Sequence, residues 1–132
     1  ILVTEVLYNK INGNKNFVVV DAAMNDLLRP SIYQAYHHVQ PIQKFDDRNE
    51  IVADVVGPIC ESGDYLARDR KISEAKSGEL LAVMSAGAYG MVMTSNYNAR
   101  RRGAEILVDG NKYSVIRSRE TFDHLIWDEK II

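Results

Sequence analysis

The run Gly57-Pro58-Ile59-Cys60-Glu61-Ser62-Gly63-Asp64 places the chain's single thiol beside a carboxylate, directly after an apolar stretch. Gly57-Pro58 ends a strand and Gly63 allows a tight return, so Cys60 and Glu61 are expected on a loop at a sheet edge. A thiol with a pKa of about 8.5 is mostly protonated at neutral pH and can give its proton to a carbanion. The competing assignment for Cys60 is a small buried apolar residue, the commoner fate of a lone cysteine. In Asn25-Asp26-Leu27-Leu28-Arg29-Pro30-Ser31-Ile32-Tyr33, Arg29 and Tyr33 lie four apart and share a face on a helical turn. A guanidinium fork and a phenol on one face suit a carboxylate ligand. The alternative is a surface Arg29 paired with Asp26, beside a core Tyr33. In Ala86-Gly87-Ala88-Tyr89-Gly90-Met91, glycines around Tyr89 let backbone approach a ligand, and the N–H groups that follow suit a phosphate. That pattern is neither a Walker loop nor a dinucleotide fingerprint. Arg100-Arg101-Arg102, after Asn96-Tyr97-Asn98, reads as a solvated loop rather than a nucleic-acid contact. His37 and His38 are adjacent and point apart, and no second Cys/His cluster completes a tetrahedral set, so no metal site is expected.

Mostly strands must position these groups. The expected strands are Ile1–Asn9, Asn16–Asp21, Val39–Lys44, Glu50–Ile59, Glu79–Ser85, Ala104–Val108 and Lys112–Arg117. Asn12-Gly13-Asn14 and Asp109-Gly110 supply hairpin turns. Phe17-Val18-Val19-Val20 is apolar on both faces, as in a fully buried strand. Leu27, Leu28, Ile32 and Tyr36 predict a short helix with Pro30 in its first turn, and Thr121 caps a turn carrying Phe122, Leu125 and Ile126. Arg68–Lys76 and Asn96–Arg102 are expected as exposed loops. Strands with frequent turn signals predict a mainly β fold, closed or two-sheeted.

The chain has 132 residues, 46% hydrophobic and 26% charged, which fits one globular domain and excludes disorder. A net charge of -2 gives no electrostatic footprint for nucleic acid or an anionic membrane. One cysteine forms no intrachain disulfide and points to a reducing compartment such as the cytoplasm. The uncharged stretch Leu80–Ala99 is broken by Gly87, Gly90, Ser85, Ser95, Asn96 and Asn98, so it reads as buried rather than membrane-spanning. The chain opens at Ile1, already inside an apolar run, and reads as a piece of a longer polypeptide.

Taken together, these blocks resemble the C-terminal domain of the diaminopimelate decarboxylase family. The resemblance rests on Val20-Asp21-Ala22-Ala23-Met24-Asn25-Asp26-Leu27-Leu28-Arg29-Pro30, the Gly57–Asp64 and Ala86–Met91 runs, Asn96-Tyr97-Asn98, and Ala104–Gly110, in that order. It implies a C-terminal β-barrel or Greek-key-like domain with short helices, spanning residues 1–132. The (α/β)8 barrel of such an enzyme, which holds pyridoxal 5'-phosphate, is absent, and none of the seven lysines sits in an equivalent motif. The resemblance implies a homodimer with active sites shared between subunits, decarboxylating an amino-acid substrate. By it Cys60 is the proton donor, Glu61 contacts the distal ammonium, Arg29 and Tyr33 hold the distal carboxylate, and Tyr89 touches cofactor and substrate. Ornithine- and arginine-type decarboxylases resemble the Gly57-Pro58 loop but carry Asp after the Cys and lack Arg-Pro-x-x-Tyr. Arg29 and Glu61 thus favour a substrate with a zwitterionic far end. The rival expectation is a β-domain kept as a non-catalytic binding or dimerisation module.

Overall fold

The computed structural model describes residues 1–130 and 132 and is built mainly from strands. These are β1 (Leu2–Asn12), β2 (Lys15–Val20), β3 (Val39–Pro41), β4 (Glu50–Val56), β5 (Tyr65–Ser73), β6 (Leu80–Val83), β7 (Glu105–Asp109) and β8 (Lys112–Arg117). Two short helices accompany them, α1 (Arg29–Tyr33) and α2 (Phe122–Leu125), with single 3-10 turns at Met91–Met93 and Tyr97–Ala99. Six strands form one sheet in the order β3-β6-β1-β2-β4-β5, and β7 and β8 form a separate two-stranded sheet. The edge strands β3 and β5 approach each other, so the larger sheet curls into a nearly closed barrel.

The closure starts in β1. Its first half pairs with β6, its second half pairs with β2, and the register slips between Val6 and Tyr8. An extra residue of this kind bends a strand and sharpens its twist. β1 and β2 form a hairpin through Gly13, whose φ of +59° suits a residue without a Cβ. β2 then lies parallel to β4, and both are buried in their second halves. That burial explains why Val18, Val19 and Val20 are apolar on both faces, as a strand covered twice requires. The core gathers Val6, Val18, Val20, Leu27, Val55, Leu66, Leu81 and Val83. One polar intruder, Thr4, is fully used. Thr4 Oγ1 donates to Asp21 Oδ1 at 2.6 Å and accepts from the Ala22 N–H at 2.9 Å.

Several expectations need correction. Arg68–Lys76 is not a loop, because most of it belongs to β5, which pairs antiparallel with β4. Its charged side chains occupy the open face of an edge strand, while Leu66, Ala67, Ile72 and Ala75 go inward. Leu80–Ala99 is buried only in its first part. Leu81, Ala82, Val83 and Ala86 are covered, whereas Val92 is 82% exposed. The first helix is one turn rather than a run to Tyr36, because Gln34 takes a left-handed φ of 53° and caps it. Pro30 does sit in its first turn. Asn96–Arg102 is not simply solvated, since Arg100 and Arg102 are held in hydrogen bonds. At the chain's end, the Thr121 N–H donates to His124 Nδ1 at 2.9 Å at the start of α2.

Candidate active site wall

Three segments meet on one side of the barrel. The first is the Gly57–Asp64 loop joining β4 to β5. Asp64, buried at its centre, accepts the Met24 N–H at 2.7 Å on one carboxylate oxygen and the Ile59 N–H at 2.8 Å on the other. The Gly57 N–H closes the loop onto the Asp64 carbonyl at 3.1 Å. A Cβ on Gly57 would collide with the Asp64 carboxylate, which explains glycine there. With its ends fixed in this way, the loop turns Cys60 and Glu61 outward. Cys60 is exposed, so it is not the buried apolar residue that a lone cysteine usually is.

The second segment is α1. Its Ser31 hydroxyl donates to the Gly63 carbonyl, and the Tyr65 hydroxyl donates to the Pro30 carbonyl at 2.9 Å. These bonds carry Arg29 and Tyr33 beside the cysteine loop. The third segment is Ala86–Arg102. A Cβ on Gly90 would strike the Ala86 carbonyl, so the turn that displays Tyr89 needs glycine there. Tyr89 itself has a φ of +61°, a left-handed conformation that L residues rarely adopt. The Arg29 guanidinium carbon lies 6.0 Å from the centroid of the Tyr89 ring, near the limit of cation–π attraction.

The third segment is strapped down by residues whose role was not assigned from sequence. Arg100 Nε donates to Asn25 Oδ1 at 2.8 Å, and its other end reaches the Asp21 carbonyl. Asp26, just before α1, pairs with Arg100 at 3.6 Å rather than with Arg29. Burial pushes the Asp26 carboxyl up, opposed by the Ala23 N–H and by Arg100. Arg102 donates to Glu120 at 2.7 Å. Burial acts to raise the Glu120 carboxyl, but the Arg102 N–H and guanidinium and the Asn96 amide outweigh it, and its pKa falls to about 2. The straps explain why two arginines of the Arg100–Arg102 run are held against the domain and only partly exposed. The Tyr97 hydroxyl donates to Glu61 Oε2 at 2.7 Å, joining the third segment to the first. That bond raises the Tyr97 pKa and keeps the phenol protonated.

The three segments that carry Cys60, Glu61, Arg29 and Tyr89 are thus linked, although Arg29, Tyr33 and Tyr89 do not line the cavity that Cys60 and Glu61 share. Tyr33 lies on the same helix and is 65% exposed, but it makes no hydrogen bond to Arg29 among the described residues. Beside the cysteine loop is an open cavity of about 430 Å³ lined by Cys60, Glu61, Asp64, Tyr65 and Arg68. Among the described residues no cluster of His, Cys, Asp and Glu is arranged to hold a metal ion.

Residues 1–87 match the family model described as "Pyridoxal-dependent decarboxylase, C-terminal sheet domain". The chain belongs to that family. The sheet domain is 55% identical over 126 residues to the diaminopimelate decarboxylase of Aquifex aeolicus, covering 96% of this chain and 30% of that one. It is 52% identical to the diaminopimelate decarboxylase of Pseudomonas aeruginosa, over 100% of this chain and 31% of that one. Among solved structures, a protein from Aquifex aeolicus superposes with a TM-score of 0.96 at 53% identity, covering 99% of this chain and 32% of its own. The Helicobacter pylori diaminopimelate decarboxylase, complexed with L-lysine, superposes at 0.87 and 43% identity, over 96% of this chain and 30% of that one. The sheet domain therefore spans about a third of the length of the relatives it matches.

The family name implies pyridoxal phosphate, and the residues present fit one side of such a site only. Tyr89, Arg29, Cys60 and Glu61 offer a phenol, a cation, a thiol and a carboxylate on linked segments. No lysine lines the cavity beside Cys60 to anchor an aldehyde cofactor.

Proposed function

We propose that this chain is the C-terminal domain of a diaminopimelate decarboxylase, which converts meso-2,6-diaminopimelate to L-lysine and CO2. The observation that carries this reading is that Arg29 and Glu61 stand on segments tied together by the Ser31–Gly63 hydrogen bond, in a chain so similar to enzymes of that name. A decarboxylase acting on one end of a doubly zwitterionic substrate must recognise the other end with both charges, and these two residues supply them. The enzyme is proposed to work in the cytoplasm as a homodimer, with each sheet domain completing the partner's site. A two-sided apolar ribbon fits a domain covered by a larger body. Ile106, Leu107, Val108, Tyr113, Val115 and Ile116 of β7 and β8 are all about half exposed or more. A contiguous surface of that kind rarely stays open in a monomer.

Bound pyridoxal phosphate, held by a cofactor barrel outside this sequence, supplies the electron sink for loss of the carboxyl group. The chain's own residues then act on the substrate. Arg29, with Tyr33 beside it, binds the distal carboxylate, and Glu61 binds the distal ammonium. Because meso substrate yields L-lysine, the retained L centre occupies these contacts while the D centre reacts. The bond between the D carbon and its carboxyl breaks and CO2 leaves. Cys60 Sγ then gives its proton to that carbon, forming the new C–H bond. Tyr89 forms an aromatic wall that holds the reacting group in place.

The test is to produce the polypeptide with its upstream cofactor domain and measure CO2 and lysine from diaminopimelate. Turnover there, with none from the 132-residue chain alone, is the expected result. No turnover by the longer protein would overturn the reading. A shared site adds a further requirement. Mixing a Cys60→Ala protein with one altered at the cofactor-anchoring lysine should restore part of the activity in mixed dimers, and no recovery would exclude sharing.

A further inference from the structure

Glu61 stands on an exposed loop with three freely rotating side-chain bonds, yet one of its oxygens is already engaged. The Tyr97 hydroxyl donates to Oε2 at 2.7 Å, and among the described residues Oε1 makes no hydrogen bond. We infer that Tyr97 is a positioning residue: it fixes one oxygen of Glu61 and turns the other toward the cationic group of the substrate. The inference rests on the functional reading above and deepens it.

The surroundings of Tyr97 suit that role. The two residues that follow it, Asn98 and Ala99, have φ values of +59° and +54°. Two successive left-handed L residues make a sharp reversal that neighbouring contacts must hold. Those contacts are on both sides of the turn. Asn96 Nδ2 donates to the Arg100 carbonyl at 2.9 Å, and the Ser95 N–H donates to the Asn25 carbonyl at 3.1 Å. Arg100 is itself bound to Asn25. Tyr97 therefore projects from a braced apex, whereas Glu61 projects from a turn with an exposed rim. A short bond between a rigid donor and a flexible carboxylate orders the carboxylate before the substrate arrives. The phenol has no competing acceptor among the hydrogen bonds of the described residues. Held protonated by Glu61, it remains a donor through the neutral range.

The experiment uses the full-length holoenzyme. Tyr97→Phe removes the hydroxyl and keeps the ring. KM for diaminopimelate should rise about 3- to 10-fold and kcat should change by a smaller factor, the order expected for one ordering hydrogen bond. In a Glu61→Ala background the same substitution should change KM less than twofold, because the group it orients is gone. An equal KM effect with and without Glu61 would overturn the inference and leave Tyr97 as a loop staple. An ultraviolet difference titration, wild type minus Tyr97→Phe, reads the pair without turnover. The Tyr97 phenol should titrate above an ordinary tyrosine, and Glu61→Gln should bring it down. If it titrates like any exposed tyrosine, the inference fails even where the decarboxylase reading stands. If diaminopimelate is not turned over but the raised titration is found, the functional reading fails and the pair survives.

Discussion

Replacing Asp64 should loosen the cysteine loop before it unfolds the domain. The carboxylate accepts two backbone N–H groups, from Met24 at 2.7 Å and from Ile59 at 2.8 Å, and the residue is only 3% exposed. In Asp64→Ala both donors lose their acceptor. Each buried unsatisfied donor costs about 1–3 kcal/mol, so the closed loop loses about 2–6 kcal/mol relative to open forms. Asp64→Asn keeps one acceptor oxygen but turns an amide N–H₂ toward the second donor, so it should fall between wild type and alanine. Amide hydrogen exchange in the full-length protein is the assay. A 2 kcal/mol loss corresponds to about a thirtyfold fall in protection, concentrated in peptides containing Met24 and Ile59. Turnover should fall as well. A displacement near 1 Å of a reacting group costs on the order of a hundredfold, and Cys60 follows Ile59 directly. Unchanged exchange at both amides in a folded Asp64→Ala protein would refute the claim that this carboxylate holds the loop. Faster exchange with normal turnover would refute the link between loop position and chemistry.

Other substitutions probe separate parts of the domain. Arg29→Lys keeps the charge but loses the planar fork, and should cost about 2–5 kcal/mol in kcat/KM for diaminopimelate. D-lysine, which presents the same reacting centre and no distal carboxylate, should lose little; an equal loss for both would remove the selectivity role. Glu79 is held down to about 2, first by the Arg48 guanidinium and then by the Lys76 N–H. A carboxyl depressed when folded contributes its stability above its unfolded pKa of about 4.5 and loses it as pH falls toward 2. The thermal midpoint should therefore drop between about pH 5 and pH 2, and drop less in Glu79→Gln; identical profiles would exclude the Arg48–Glu79 pair as a source. Lys15 reaches the buried Asp54 carboxylate at 2.8 Å, so Lys15→Met should lower the midpoint of urea unfolding, and no change would mean the backbone bond from Asp69 suffices.

What was legible in the sequence was what local chemistry encodes. The valine run Val18–Val20 announced a strand buried on both faces, because consecutive β-branched apolar residues suit a strand covered twice. Gly57-Pro58 and Gly63 announced the Cys60 loop, since the strand must stop and return there. β5 escaped because Asp69, at a φ of +49°, forms a bulge that breaks the two-residue alternation between Leu66 and Ile72. Its charges then resembled a loop. The arginine run misled for a different reason. Arg100 finds its partners at Asp21, Asn25 and Asp26, more than 70 residues earlier, and no local pattern reports such a contact. The same holds for Tyr97 and Glu61, 36 positions apart. The candidate site was readable as residue types, while the straps that hold it were visible only in the fold.

In the proposed reaction Cys60 delivers a proton to the substrate carbon. Steady-state kinetics of the full-length Cys60→Ala holoenzyme on diaminopimelate test it most directly. A lost general acid lowers turnover by on the order of a hundredfold or more and leaves binding nearly intact. The expected result is a fall of that size in kcat with KM within a few fold of wild type. Normal kcat in the mutant would contradict the claim and return Cys60 to the role of an exposed loop residue.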